Sequence, residues 1–181
     1  MLRIILPFLL LLVISGCSMN PEIVDSWKSE LPRYMQKNLG PIQSEISLRC
    51  IFSVSWVEDD EIIHLCPFTT KEAFFHECMH SFEVNRLRKS PKEYEKFLSE
   101  YQDVKYDIPL NFLCFVIPLH WIPAKGAPNM YALTNHWENS AETFRFWIIK
   151  KRTNSDIVKN NLKVIERFVT GEFSNEDPLP Q

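Results

Sequence analysis

The sequence predicts a mixed α+β fold. A small β-hairpin or sheet comes first, then a helix carrying paired histidines, then a mostly helical C-terminal half. Three observations lead there. Two β-branched and aromatic runs, 46–57 and 62–66, flank Glu58-Asp59-Asp60-Glu61, which reads as a hairpin turn. Thr69-Thr70-Lys71-Glu72 follows Pro67 and is a helix start, with Thr69 as N-cap and Glu72 reaching back in a capping box. Beyond Asn135, apolar residues recur at helical spacing behind further start signals.

Taken in order, the chain opens with Met1-Leu2-Arg3, a short basic start, followed by an apolar run over 4–14. That run is too short for a permanent bilayer span and has the shape of a secretory leader. Residues 18–45 hold a polar tether and then an amphipathic segment. Ile23, Trp27 and Leu31 share one helical stripe there, and Pro32 and Gly40-Pro41 interrupt it. After the hairpin, a helix over about 70–88 carries His76 and His80 near its middle. Ser90-Pro91-Lys92-Glu93 begins a second helix that ends near Tyr106.

The stretch 108–123 is strongly apolar. Pro109, Pro118, Pro123, His120 and its short length argue against a membrane span, so it reads as a buried wall or loop beside a cleft. Residues 124–128 form a turn. Asn135-His136-Trp137-Glu138 is a second capping box, starting a helix to about Arg152 with Glu142, Phe146 and Ile149 on one face. A last helix runs from Asp156 to about Val169, its apolar face supplied by Ile157, Leu162, Ile165 and Phe168. The organisation read from this is a leader over 1–16, an N-terminal segment over 17–45 and a single domain over 46–181.

Composition narrows the partners. The formal charge is −3 and no basic patch of nucleic-acid type is present; Lys150-Lys151-Arg152 reads as a solvated helix end. Beyond Cys17, Cys50, Cys66, Cys78 and Cys114 are an even number, which permits two disulfides in an exported protein or free buried thiols. Cys78 lies about 200° around the helix from His76 and points away from it.

The chemistry centres on His76-Glu77-Cys78-Met79-His80. Four residues is close to one helical turn, so the two imidazoles share a face and can bind one Zn²⁺. Glu77 is then placed as the general base for an attacking water. A catalytic zinc needs a third protein ligand. The candidates are Glu83, Glu138, Glu142, His120 and His136. Glu83 stays on the histidine face but lies about 10 Å along the axis, too far for a shared ion, and is expected instead to orient His80. Glu142 is the better candidate, because it sits on a separate helix just after Ala141, a small residue that lets two helices approach.

Two resemblances add to this. Ile14-Ser15-Gly16-Cys17 resembles the lipobox of bacterial lipoproteins, which implies lipidation of Cys17, removal of the leader and anchoring in the cell envelope. With Ser18 following, the resemblance implies the outer membrane in a Gram-negative host. The block 131–144, with Tyr131 upstream of Ala141-Glu142, resembles the second block of gluzincin-type zinc metallopeptidases, within them the small putative zinc-peptidase and lethal-factor-like groups. It implies a zincin-like fold, with His76, His80 and Glu142 as ligands and Glu77 as base. Tyr131 or His136 then stabilises the oxyanion, and the substrate is a peptide or protein. Two alternatives stand beside it: an envelope lipoprotein of metallopeptidase type that binds zinc in a binding or structural role and cleaves nothing, and a structural lipoprotein in which the histidine motif is accidental.

Overall fold

The computed structural model describes residues 19–44, 50, 55–58, 61–104, 122 and 124–174 of the 181-residue chain. The leader, Cys17, Cys114, His120 and nearly all of the 108–123 wall lie outside the described residues. Among those described the fold is mixed α+β, with six α-helices and one three-stranded sheet. The helices are α1 (Pro21–Ser29), α2 (Arg33–Lys37), α3 (Lys71–Lys89), α4 (Pro91–Glu100), α5 (His136–Ile148) and α6 (Asp156–Thr170), with a 3-10 turn at Tyr131–Leu133. The strands are β1 (Ile42–Ser44), β2 (Ser55–Val57) and β3 (Ile63–Leu65).

The expected hairpin is β2 and β3, paired antiparallel with Trp56 opposite His64. Its turn closes through Glu58 N–H donating to the Ile62 carbonyl at 3.3 Å. The sheet has a third member that the local pattern did not announce. β1 runs parallel to β3, with Ile42 opposite Ile63, so among the described residues the order is β1-β3-β2. Gly40 permits this approach, because a Cβ there would collide with the Glu61 carbonyl. Ser81 on α3 locks the sheet to the helix: its hydroxyl donates to the Glu61 carbonyl at 2.8 Å and accepts from Gly40 N–H at 3.0 Å.

α3 is the central helix. Thr70, one residue after the expected Thr69, caps it by accepting from Ala73 N–H at 3.2 Å. The Thr69 hydroxyl is committed to the Cys66 carbonyl at 2.8 Å. Phe74, Phe75, Cys78, Met79 and Phe82 are all buried. α4 is shorter than expected, because Tyr101 leaves the helix in an extended conformation. Its hydroxyl donates to Asn139 Oδ1 at 2.9 Å and pairs with Thr143 Oγ1 at 2.8 Å. α5 ends at Ile148 rather than near Arg152. α6 ends on Gly171 in the left-handed conformation (φ 89°), where a Cβ would strike the Tyr34 ring. Val158, Ile165, Phe168 and Val169 fill the apolar face of α6, and Ile157, expected inside, is exposed.

The N-terminal segment is not a bare tether. Met19, Val24, Leu31, Tyr34 and Met35 are buried in the same core as α3 and α6, whereas Ile23 of the expected stripe is exposed. No helix of the described residues is long and apolar enough to cross a membrane.

Cys50 is bonded to Cys66, and Cys78 is a free, buried thiol facing the core. The bridge closes a loop over a sequence separation of 16 residues and so restricts the unfolded chain. Replacing both cysteines by alanine is expected to lower stability by about 2–4 kcal/mol, read as a shift in the denaturant midpoint. An unchanged midpoint would show that the bridge does not hold the hairpin.

Candidate metal centre

Two helices build the site, each contributing residues one turn apart. α3 presents His76 and His80; α5 presents Glu138 and Glu142. α5 starts because the Asn135 side chain accepts the Glu138 N–H at 2.9 Å. The helices come close because Ala141 and Ser140 are small and wholly buried between them. The Ser140 hydroxyl also donates to Glu83 Oε2 at 2.8 Å, tying α5 to α3 within the core.

Three donor atoms converge. His76 Nε2 and His80 Nε2 are 3.0 Å apart, and Glu138 Oε2 lies 2.9 Å from the first and 3.5 Å from the second. Donors at zinc bonding distance from one tetrahedral centre stand about 3.3 Å apart, so this spacing suits a common ion. Glu138 Oε2 is buried and accepts no well-directed hydrogen bond, a costly state for a carboxylate without a cation. These residues are the one group of metal-ligating type, three or more strong, among those described.

The carboxylate that converges with the two histidines is that of Glu138, whereas the sequence reading favoured Glu142 as third ligand. Glu142 Oε1 lies 3.0 Å from His76 Nδ1, the ring nitrogen turned away from the convergence point. Its other oxygen accepts from Asn129 Nδ2 at 2.5 Å and faces Arg145 Nη2 at 2.6 Å. Glu142 thus stands behind His76, where it favours a proton on Nδ1 and leaves Nε2 as the donor. Asn129 also accepts the Ala132 N–H at 2.9 Å, which links Glu142 to the turn carrying Tyr131.

The other expected residues divide. Glu77 lines the cleft beside the histidines, and its Oε1 accepts from the Ser55 hydroxyl at 3.2 Å. Tyr131 lines the same cleft, its ring centroid 6.0 Å from that of His76. Glu83 is wholly buried and meets Ser140; the helper role expected of it toward His80 is replaced by this tie between helices. His136 turns from the cleft, with its Nε2 3.8 Å from Glu83 and its ring edge-on to Tyr101 at 5.5 Å. Ser55, Asn129 and Arg145 carry no motif of their own and were not singled out in the sequence.

Electrostatics fit a cation. Burial opposes charge on His76, yet the carboxylates of Glu138 and Glu142 outweigh it and push the imidazole up to about 10. Burial raises Glu138, but His76 and His80 override it and hold the carboxyl well below the usual range. Burial pushes the Glu83 carboxyl well above its ordinary value. The signs follow from these directions. The raised His76 stabilises the metal-free fold below its unfolded value of 6.5, and that contribution is lost as pH climbs through about 10. The lowered Glu138 contributes above its unfolded value of 4.5 and loses that contribution in acid. A metal ion must displace the His76 proton. Zinc affinity is therefore expected to rise about tenfold per pH unit between pH 6 and 8, one proton leaving per ion, measured by competition with a chromophoric chelator. Affinity flat across that interval would contradict the arrangement.

Comparison with known proteins finds no matching family model, no matching curated protein and no matching solved structure.

Proposed function

We propose that this chain is a zinc-dependent metallopeptidase of gluzincin type with a zincin-like fold. The reading is carried by the convergence of His76 Nε2, His80 Nε2 and Glu138 Oε2 in a cleft that also holds Glu77. Two imidazoles and one carboxylate are a donor set suited to catalytic Zn²⁺, which leaves room for a further ligand. The ion, when bound, supplies Lewis acidity that polarises a carbonyl and acidifies water. Glu77, held by Ser55, takes the proton of the attacking water and returns it to the leaving amine. Tyr131 stands on the cleft wall as a donor toward the developing oxyanion. Glu142 keeps His76 in the tautomer that offers Nε2.

An extended peptide suits the cleft because β2 forms part of its wall, which gives the cleft a straight side. The Cys50–Cys66 bridge supports an oxidising compartment, in keeping with export through the 1–16 leader and anchoring by lipid at Cys17. The test is hydrolysis of a fluorogenic peptide library by the purified protein, with zinc measured on the same sample. Activity that needs one zinc per chain and vanishes with chelator supports the reading. One bound zinc with no cleavage of any peptide would favour the binding lipoprotein instead.

A further inference from the structure

Tyr131 stands on the cleft wall, but the segment that carries it is built around a different centre. Ala127, Ala132 and Leu133 are buried in a small core of their own, apart from the one that α3 and α6 share, and Tyr131 packs against it. Several of its hydrogen bonds run within the segment. Met130 N–H donates to the Ile122 carbonyl at 2.9 Å, and Leu133 N–H to the Met130 carbonyl at 3.2 Å. The Thr134 hydroxyl donates to the Tyr131 carbonyl at 2.9 Å. Bonds of this kind shape the turn without setting its distance from His76.

Asn129 reaches across. Its side chain is buried and uses both ends. Oδ1 accepts the Ala132 N–H at 2.9 Å, the capping bond that asparagine makes at a helix start. Nδ2 donates to Glu142 Oε2 at 2.5 Å. The other oxygen of that carboxylate lies 3.0 Å from His76 Nδ1. Arg145 Nη2, 2.6 Å from Glu142, braces the carboxylate between them. The peptide bond that follows Tyr131 is thus joined through two buried side chains to the imidazole it stands beside, the two rings being 6.0 Å apart.

We propose that Asn129 is a positioning residue: by tying its turn to Glu142, it sets where the Tyr131 side chain stands relative to the metal centre. The inference rests on the peptidase reading and adds to it a residue that acts through Tyr131. Asparagine suits the place because its amide offers a donor to the carboxylate and an acceptor to the backbone N–H at once. The placement matters because a displacement of about 1 Å in a reacting group can cost about 10²-fold in rate.

The test uses the full chain with zinc in excess, so that a change in metal affinity does not enter, and compares Asn129→Ser with Asn129→Ala. Serine keeps a capping oxygen for the Ala132 N–H but is too short to reach Glu142; alanine removes both bonds. In both, kcat is expected to fall about tenfold or more while KM stays within about twofold. Tyr131→Phe, costing about tenfold in the native chain, is expected to cost less than about twofold on top of Asn129→Ser, because the hydroxyl it removes is already displaced. A 3-fluorotyrosine at position 131 reads the same link without cleavage: its fluorine resonance moves or broadens in Asn129→Ser while the circular dichroism stays native. Should Asn129→Ala not fold, the serine variant carries the test. Native kcat in Asn129→Ser, losses that simply multiply with Tyr131→Phe, or an unmoved fluorine resonance overturns the inference and leaves the peptidase reading standing. A chain that cleaves no peptide, yet whose resonance moves in Asn129→Ser, keeps the tie between Asn129 and Tyr131 and removes the peptidase reading.

Discussion

Glu77→Gln is expected to abolish peptide hydrolysis while zinc stays bound. General-base catalysis is worth about 10²–10⁴ in rate, and the amide keeps the shape of the carboxylate but cannot take a proton. Glu77 is also the acidic member of the motif that makes no contact with the convergence point; its oxygen accepts from Ser55 instead. The substitution therefore separates chemistry from metal binding: kcat falls by at least about a hundredfold and zinc content stays at one per chain. Ser55→Ala is a milder companion, since it frees Glu77 to rotate without removing it. Hydrolysis at an undiminished rate in Glu77→Gln would sink the proposed mechanism.

Glu138→Ala is expected to lose the metal, and Glu142→Ala to weaken it by about 10–100-fold. The two carboxylates sit one turn apart on α5 and both touch His76, but at opposite ring nitrogens. Removing Glu138 leaves two histidines, too few protein ligands for a catalytic zinc site. Removing Glu142 leaves all three donors and unfastens the ring behind one of them. It also leaves Arg145 facing a buried void, so Glu142→Gln is the better-folded comparison. Zinc titrations of the three variants distinguish ligand from positioning residue. If Glu142→Ala were the variant that lost zinc and Glu138→Ala kept it, the assignment would be reversed.

Where the sequence spoke through local rules, the fold follows it. Asn135 before α5 and the four-residue histidine step are signals contained within a few residues, and a threonine does cap α3, one residue later than expected. What was not legible depends on distance in space. β1 is three residues long and exists because it lies beside β3, which no local pattern near Gly40-Pro41 reveals. Burial of Met19 likewise depends on a core assembled from residues far along the chain. The site divides in the same way. Glu138 is both the expected capping partner of Asn135 and one of the five third-ligand candidates, and its backbone N–H does serve that cap. Its side chain goes to the histidines instead. The step of four that places His76 and His80 together applies equally to Glu138 and Glu142. It marks both as facing α3, and only the packing of the two helices decides which reaches Nε2.

Because α3 and α5 cross at this centre, an ion held there would act as a reversible clasp between them. It would grip His76 and Glu138, which the hairpin-side helix and the C-terminal half contribute separately. By mass action, an ion at a thousand times its dissociation constant adds about 4 kcal/mol to the folded state. That is comparable with the whole margin by which many domains stay folded. Metal supply would then govern how much intact protein persists, and scarcity would first loosen the pair of helices that carries His76 and Glu138.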